Sequence, residues 1–178
     1  MSADPSGEGW QWTLIQTDPC PQCGQHPAAH PPSDLGRLAL SGAADWRAFL
    51  AAADPVYLRT NPRPDVWSPL QYGAHSRDML QVFGDRILLA VAEDDPVVPW
   101  FDPGPEAWAA FNRLDPAELA GGIDVAARRL ATILDERAPS DWARTARRDG
   151  LDRFTVAGLA CFAVHEVHHH LRDADGSL

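Results

Sequence analysis

Ser68-Pro69-Leu70-Gln71-Tyr72-Gly73-Ala74-His75-Ser76-Arg77-Asp78-Met79-Leu80-Gln81-Val82-Phe83-Gly84-Asp85-Arg86-Ile87 opens with a helix-start signal. Serine caps free N–H groups, and the following proline is pre-set for the first helical turn. From there Tyr72, Met79, Val82, Phe83, Ile87 and Ala90 share one face at 100° per residue, predicting a helix to about Glu93. His75 and Arg86 fall inside that apolar arc. A histidine and an arginine on a core-facing stripe are the first hint of a site inside a helical fold.

The same period recurs on both sides. Leu35, Leu38, Ala39, Gly42, Trp46, Phe49 and Leu50 predict a helix over about 33–53, with Ser33 as its cap. Leu119, Ile123, Ala126, Leu130, Ile133 and Leu134 predict one over about 116–137, capped by Asp115. A last helix starts at Thr155 and runs to about Asp173, and a short one is expected over 105–111. Residues 94–104 and 139–153 read as connections, with no strand-like alternation of useful length. Four long amphipathic helices predict an all-α fold, an up-down-type four-helix bundle over 34–178.

Residues 1–33 differ. Six prolines and Gly7, Gly9 and Gly24 make them an irregular N-terminal arm, docked by Trp10, Trp12, Leu14 and Ile15. Met1–Trp12 has no basic and apolar run of the secretory kind. Three cysteines make no disulfide framework, so a cytoplasmic setting is expected. The net charge of −10 argues against nucleic acid and acidic membranes as partners. A small-molecule substrate is expected, and the tryptophan-bearing arm makes a homodimer plausible.

The last helix carries His165-Glu166-Val167-His168-His169-His170. Residues four apart share a face, so His165/His169 and Glu166/His170 are each a metal-ligating pair, with His165/His168 a third. Periodicity leaves the choice open. The centre of the apolar arc, Leu159 and Ala163, points nearer to Glu166 and His170, while His165/His169 lie on its flank. The stretch is also a literal H-E-x-x-H, the metalloprotease pattern. The short tail after His169 leaves no room for a downstream third ligand, so a metallohydrolase of that type is a minor alternative.

Trp67-Ser68-Pro69-Leu70-Gln71-Tyr72-Gly73-Ala74-His75-Ser76-Arg77-Asp78 resembles the second-helix signature of the DinB-like superfamily. Phe154-Thr155-Val156-Ala157, leading to His165-Glu166-Val167-His168-His169-His170-Leu171-Arg172-Asp173, resembles its fourth-helix signature. The resemblance covers about 35–175. It implies a four-helix bundle whose metal is held by one histidine of the second helix and an H-x-x-x-H pair of the fourth: here His75, His165 and His169. Gln71 and Glu166 depart from the residues common in the family.

Three protein ligands leave an open position, as in catalytic sites. Histidine ligation suits a divalent ion, with zinc expected and nickel or iron as alternatives. The resemblance further implies a thiol-dependent S-transferase or isomerase using a low-molecular-weight thiol such as mycothiol. A non-catalytic metal-binding or stress-response protein is the alternative. Beside the metal, Glu166 is a candidate base and Arg86 a candidate carboxylate-binding group. Asp78, one turn from His75, could orient a histidine.

The arm adds Cys20-Pro21-Gln22-Cys23-Gly24, which has the form of a zinc knuckle. Cys20 and Cys23 with His26 and His30 form a possible second metal site, although Pro27, Pro31 and Pro32 keep that histidine pair off a helix.

Overall fold

A computed structural model describes residues 12–99, 101–148 and 152–178. The chain forms the expected all-α four-helix bundle from α1 (Leu35–Ala52), α3 (Pro69–Ala92), α5 (Pro116–Asp135) and α6 (Val156–Asp175). The helices do not simply alternate up and down, however: Gly73 lies against Leu119 and Gly84 against Ile133, so α3 and α5 run parallel. Two short helices, α2 (Pro55–Arg59) and α4 (Pro105–Phe111), sit in the connections. No helix among the described residues is long and apolar enough to cross a membrane.

Three of the four long helices start as the sequence dictates. Ser68 and Gln71 make a reciprocal capping box at the head of α3. The Asp115 carboxylate accepts from the N–H groups of Ala117 and Glu118. Thr155 is the cap of α6 and accepts from Gly158 N–H. Ser33 does not cap α1: it lies in a 3-10 turn, Pro32–Asp34, and Asp34 takes the cap position without a side-chain bond.

α1 packs on α5 and α6, and α3 packs on the same two helices. Going round the bundle, the order is α1, α5, α3, α6. Consecutive α1 and α3 therefore lie across one diagonal, and α5 and α6 across the other. Segment 53–68, which carries α2, crosses at the end where α6 finishes, with Tyr57 bonded to the Ala174 carbonyl. Segment 136–155 crosses at the opposite end, with Arg144 bonded to the Ala90 carbonyl at the close of α3.

The second crossing holds a feature that alternation did not reveal. β1 (Val97–Val98), β2 (Thr145–Arg148) and β3 (Asp152–Thr155) form a three-stranded sheet from the two stretches expected to be plain connections. β1 pairs parallel to β2 at Val97↔Arg147, and β2 pairs antiparallel to β3 at Ala146↔Phe154. Strands of two and four residues are too short to show a period of two, and only Val98, Ala146 and Phe154 point into the core.

Small residues set the helix spacing. A Cβ at Gly42 of α1 would lie 2.8 Å from Val167 of α6, and one at Gly36 would lie 3.1 Å from the Ala131 backbone of α5. Trp46 is fully buried between them and donates its indole N–H to the Val167 carbonyl at 2.9 Å.

The arm lies along α6. Ile15 is fully buried, while Leu14 is exposed. Gln16 accepts from Thr155 N–H at 3.1 Å and donates to the Arg153 carbonyl at 3.2 Å. This contact requires glycine at 158, where a Cβ would lie 1.9 Å from Gln16 Oε1. Expectations about Trp10, the side chain of Trp12 and the character of Met1–Gln11 concern groups outside the described residues.

Candidate metal centre

Three ionisable side chains converge where α3 faces α6. His75 Nε2 and His170 Nε2 both approach one oxygen of Glu166, Oε2, at 3.2 and 3.1 Å. Donor atoms of the three residues all lie within 4.8 Å of one another. Glu166 and His170 are four apart on α6, so one turn of helix presents both to His75. His170 is fixed from behind by the Asp173 carboxylate, 2.8 Å from its Nδ1. An imidazole held this way is oriented for its other nitrogen to bind a cation.

Aromatic rings wall the cluster. Trp67, just before α3, and Trp108, on α4, have centroids 4.2 Å apart. Trp67 lies 5.2 Å and Trp108 5.7 Å from the His75 ring. Tyr72 stacks on His170 at 5.4 Å. α4 is anchored to the head of α3 by Gln71, which donates to the Trp108 carbonyl at 3.0 Å, and by a bond from Ser68 Oγ to Asn112. His75 keeps 16% of its side chain exposed, so solvent reaches the cluster at its rim.

The electrostatics suit a cation. Burial works against ionisation of Glu166, but the charge of His170 and hydrogen bonds from His165, His170 and His75 outweigh it, holding its carboxyl well below the usual range. Burial lowers the pKa of His75, against the opposing pull of Glu166. A carboxylate and a neutral imidazole are the forms that ligate metals. His170 is the exception: burial is outweighed by Glu166 and Asp173, which raise it to about 9. Its proton supplies the positive charge these two carboxylates call for.

His165 and His169 do not join this cluster. They lie on the neighbouring face of α6, where donor atoms of Cys20, Cys23, His165 and His169 fall within 4.8 Å of one another. Cys20 Sγ lies 3.8 Å from His169 Nδ1. The structure thus divides the triad expected from the sequence: His75 goes with Glu166 and His170, and the His165/His169 pair goes with the cysteines of the arm. It divides the proposed arm site as well. His26 faces the Thr17 carbonyl at 3.0 Å and His30 is exposed, so neither joins Cys20 and Cys23. His168, the third candidate on α6, faces the Leu38 carbonyl of α1 at 3.0 Å.

The remaining candidates have structural partners. Arg86 donates to the Pro99 carbonyl at 2.6 Å and covers the Phe83 ring, three turns along α3 from His75. It fastens the loop after α3. Asp78 pairs with Arg77 at 2.7 Å. The H-E-x-x-H reading also loses its geometry, because cysteine sulfurs crowd its two histidines while Glu166 Oε2 faces His75 and His170.

Asp173 was not singled out from sequence, although its spacing of three from His170 is the available signal. Cys20, Cys23, His165 and His169 are all candidates in the sequence; what the sequence misses is that the four meet.

Comparison with solved structures finds the same fold in YfiT from Bacillus subtilis, reported as a probable metal-dependent hydrolase with an unusual four-helix bundle topology. The two share 18% identity over 82% of this chain and 84% of that one, with a TM-score of 0.72. Comparison with curated proteins finds no significant match. The sequence profile of the DinB superfamily matches residues 41–174, which hold all four long helices apart from the first turns of α1 and the last residue of α6, and the chain belongs to that superfamily.

Proposed function

We propose that the chain binds a divalent metal ion through His75, Glu166 and His170 and uses it to activate a low-molecular-weight thiol for attack on a small electrophile. The observation that carries this reading is the convergence of two imidazole nitrogens on one carboxylate oxygen, at 3.2 and 3.1 Å, at a rim open to solvent. Three protein donors leave a coordination position for a substrate. Two imidazoles and a carboxylate suit zinc, with iron(II) as the other fit.

A bound ion of this kind lowers the pKa of a thiol and so supplies the thiolate at neutral pH. The protein does the rest. Asp173 holds His170 in orientation, and Glu166 offsets part of the cation's charge. Trp67 and Trp108 exclude water from one side and present flat apolar faces to an electrophile. The thiol sulfur forms the new bond to carbon, the leaving group departs with its electron pair, and the thiol proton passes to solvent.

The test is the rate of monobromobimane conjugation with mycothiol, bacillithiol and glutathione, using zinc-loaded protein. Acceleration with one thiol is expected, reduced by two orders of magnitude or so in His75→Ala. No acceleration with any of the three would overturn the transferase reading. A second reading, hydrolysis, has support from the donor set, since two histidines and a glutamate also hold hydrolytic zinc. The fold shared with YfiT points the same way. It predicts metal-dependent ester or amide cleavage that needs no added thiol.

A further inference from the structure

We infer that Cys20, Cys23, His165 and His169 form a second, closed metal site that fastens the N-terminal arm to α6. It is separate from the open site and does not rest on that site's activity.

Four donors of the right kind meet. All four residues are buried, at 2%, 3%, 0% and 5% exposure. Their ligand atoms lie within 4.8 Å of one another, and none of the three cysteines is in a disulfide. Two sulfurs and two imidazole nitrogens make the Cys2His2 set of structural zinc sites, with no position left for substrate. Thiolate donors favour zinc over harder divalent ions.

Each half of the set is locally built. Cys20-Pro21-Gln22-Cys23-Gly24 is a tight turn in which Gly24 N–H bonds the Cys20 carbonyl and Cys20 N–H bonds the Gln25 carbonyl, both at 2.8 Å. Gly24 sits at φ 71°, and a Cβ there would meet nothing within 4 Å, so conformation and not space demands the glycine. His165 and His169 are one turn apart on α6 and share a face. His169 turns Nδ1 to Cys20 Sγ and Nε2 towards Asp173, 3.5 Å away.

Separate contacts hold the two halves in register. Arg172 donates to the Cys23 carbonyl at 2.7 Å, and Gln16 docks on the head of α6 over Gly158. The cross-link joins residues 149 apart in sequence, near the two ends of the fold. The third cysteine, Cys161, is not part of the cluster; burial pushes its thiol up to about 11, as for an inert core residue.

The experiment loads the full chain with cobalt(II) and reads its absorption. Wild type is expected to show sulfur-to-cobalt charge-transfer absorption with intense tetrahedral d–d bands. His75→Ala should keep both, and Cys20→Ser/Cys23→Ser should lose the charge-transfer band. Metal content should be about two ions per chain in wild type and about one in either variant. Should the cysteine variant fail to fold, wild type still decides. Zinc should slow iodoacetamide labelling of Cys20 and Cys23 by tenfold or more, as mapped by mass spectrometry, and chelation should restore it. Folded wild type with no charge-transfer band, or labelling indifferent to zinc, would overturn the site. Loss of thiol-transfer activity with the band intact would count against the open-site reading alone.

Discussion

Adjacent residues on α6 serve different clusters: His165 and His169 face the arm, whereas Glu166 and His170 face His75. Glu166→Gln keeps the volume but removes the charge both imidazoles approach. Metal affinity is expected to fall by about 10- to 100-fold, measured by competition with a chromogenic chelator. Trp108→Ala removes an aromatic face 5.7 Å from His75 without touching a donor atom. It should raise KM for the electrophile by about tenfold and leave kcat nearly unchanged, as loss of uniform binding does. Much of this was legible in sequence. Helical phase put His75 inside the bundle and pointed the core arc nearer to Glu166 and His170. What sequence could not show was that the other pair is claimed by sulfurs, because Cys20 and His169 are 149 residues apart. No local period carries that information.

At the scale of elements, the arm and the small sheet are where the fold depends on single positions. Gly158→Ala would drive a methyl group into Gln16 and break its bond to Thr155 N–H. Chemical denaturation should report a loss of about 1–3 kcal/mol, and the arm should become more accessible to protease. Asp95, at φ 47°, accepts from Thr145 Oγ1 at 2.7 Å and pairs with Arg153 and Arg147 at 2.7 and 3.0 Å, tying the loop before β1 to β2 and β3. The Thr145 bond leads in lowering its pKa; partial burial opposes it, and the two arginines add to the lowering. A carboxylate lowered on folding contributes stability above its unfolded pKa and loses it as pH falls through the folded one. Asn tolerates the same backbone, so the melting-temperature gap between wild type and Asp95→Asn should be present at neutral pH and shrink below the ordinary carboxylate range. The long helices were readable because a 3.6-residue period persists over five turns or more. The sheet was not, because its strands are two to four residues long and are held by pairing across distant segments.

For the whole molecule, the diagonal placement of α1 against α3, and of α5 against α6, brings α3 and α6 side by side and so sets His75 opposite Glu166 and His170. Hydrophobic stripes specify that four helices bury their faces, but not which neighbours they choose; close approaches at Gly36 and Gly42 and the Trp46 bond to α6 make that choice. The central claim is that His75 shares its metal with Glu166 and His170, and not with the His165/His169 pair. The most direct measurement is zinc binding in a Cys20→Ser/Cys23→Ser background, where only the open site remains, after adding either His170→Ala or His169→Ala. The account predicts that His170→Ala abolishes tight binding and His169→Ala retains it. Retention in His170→Ala with loss in His169→Ala would contradict it.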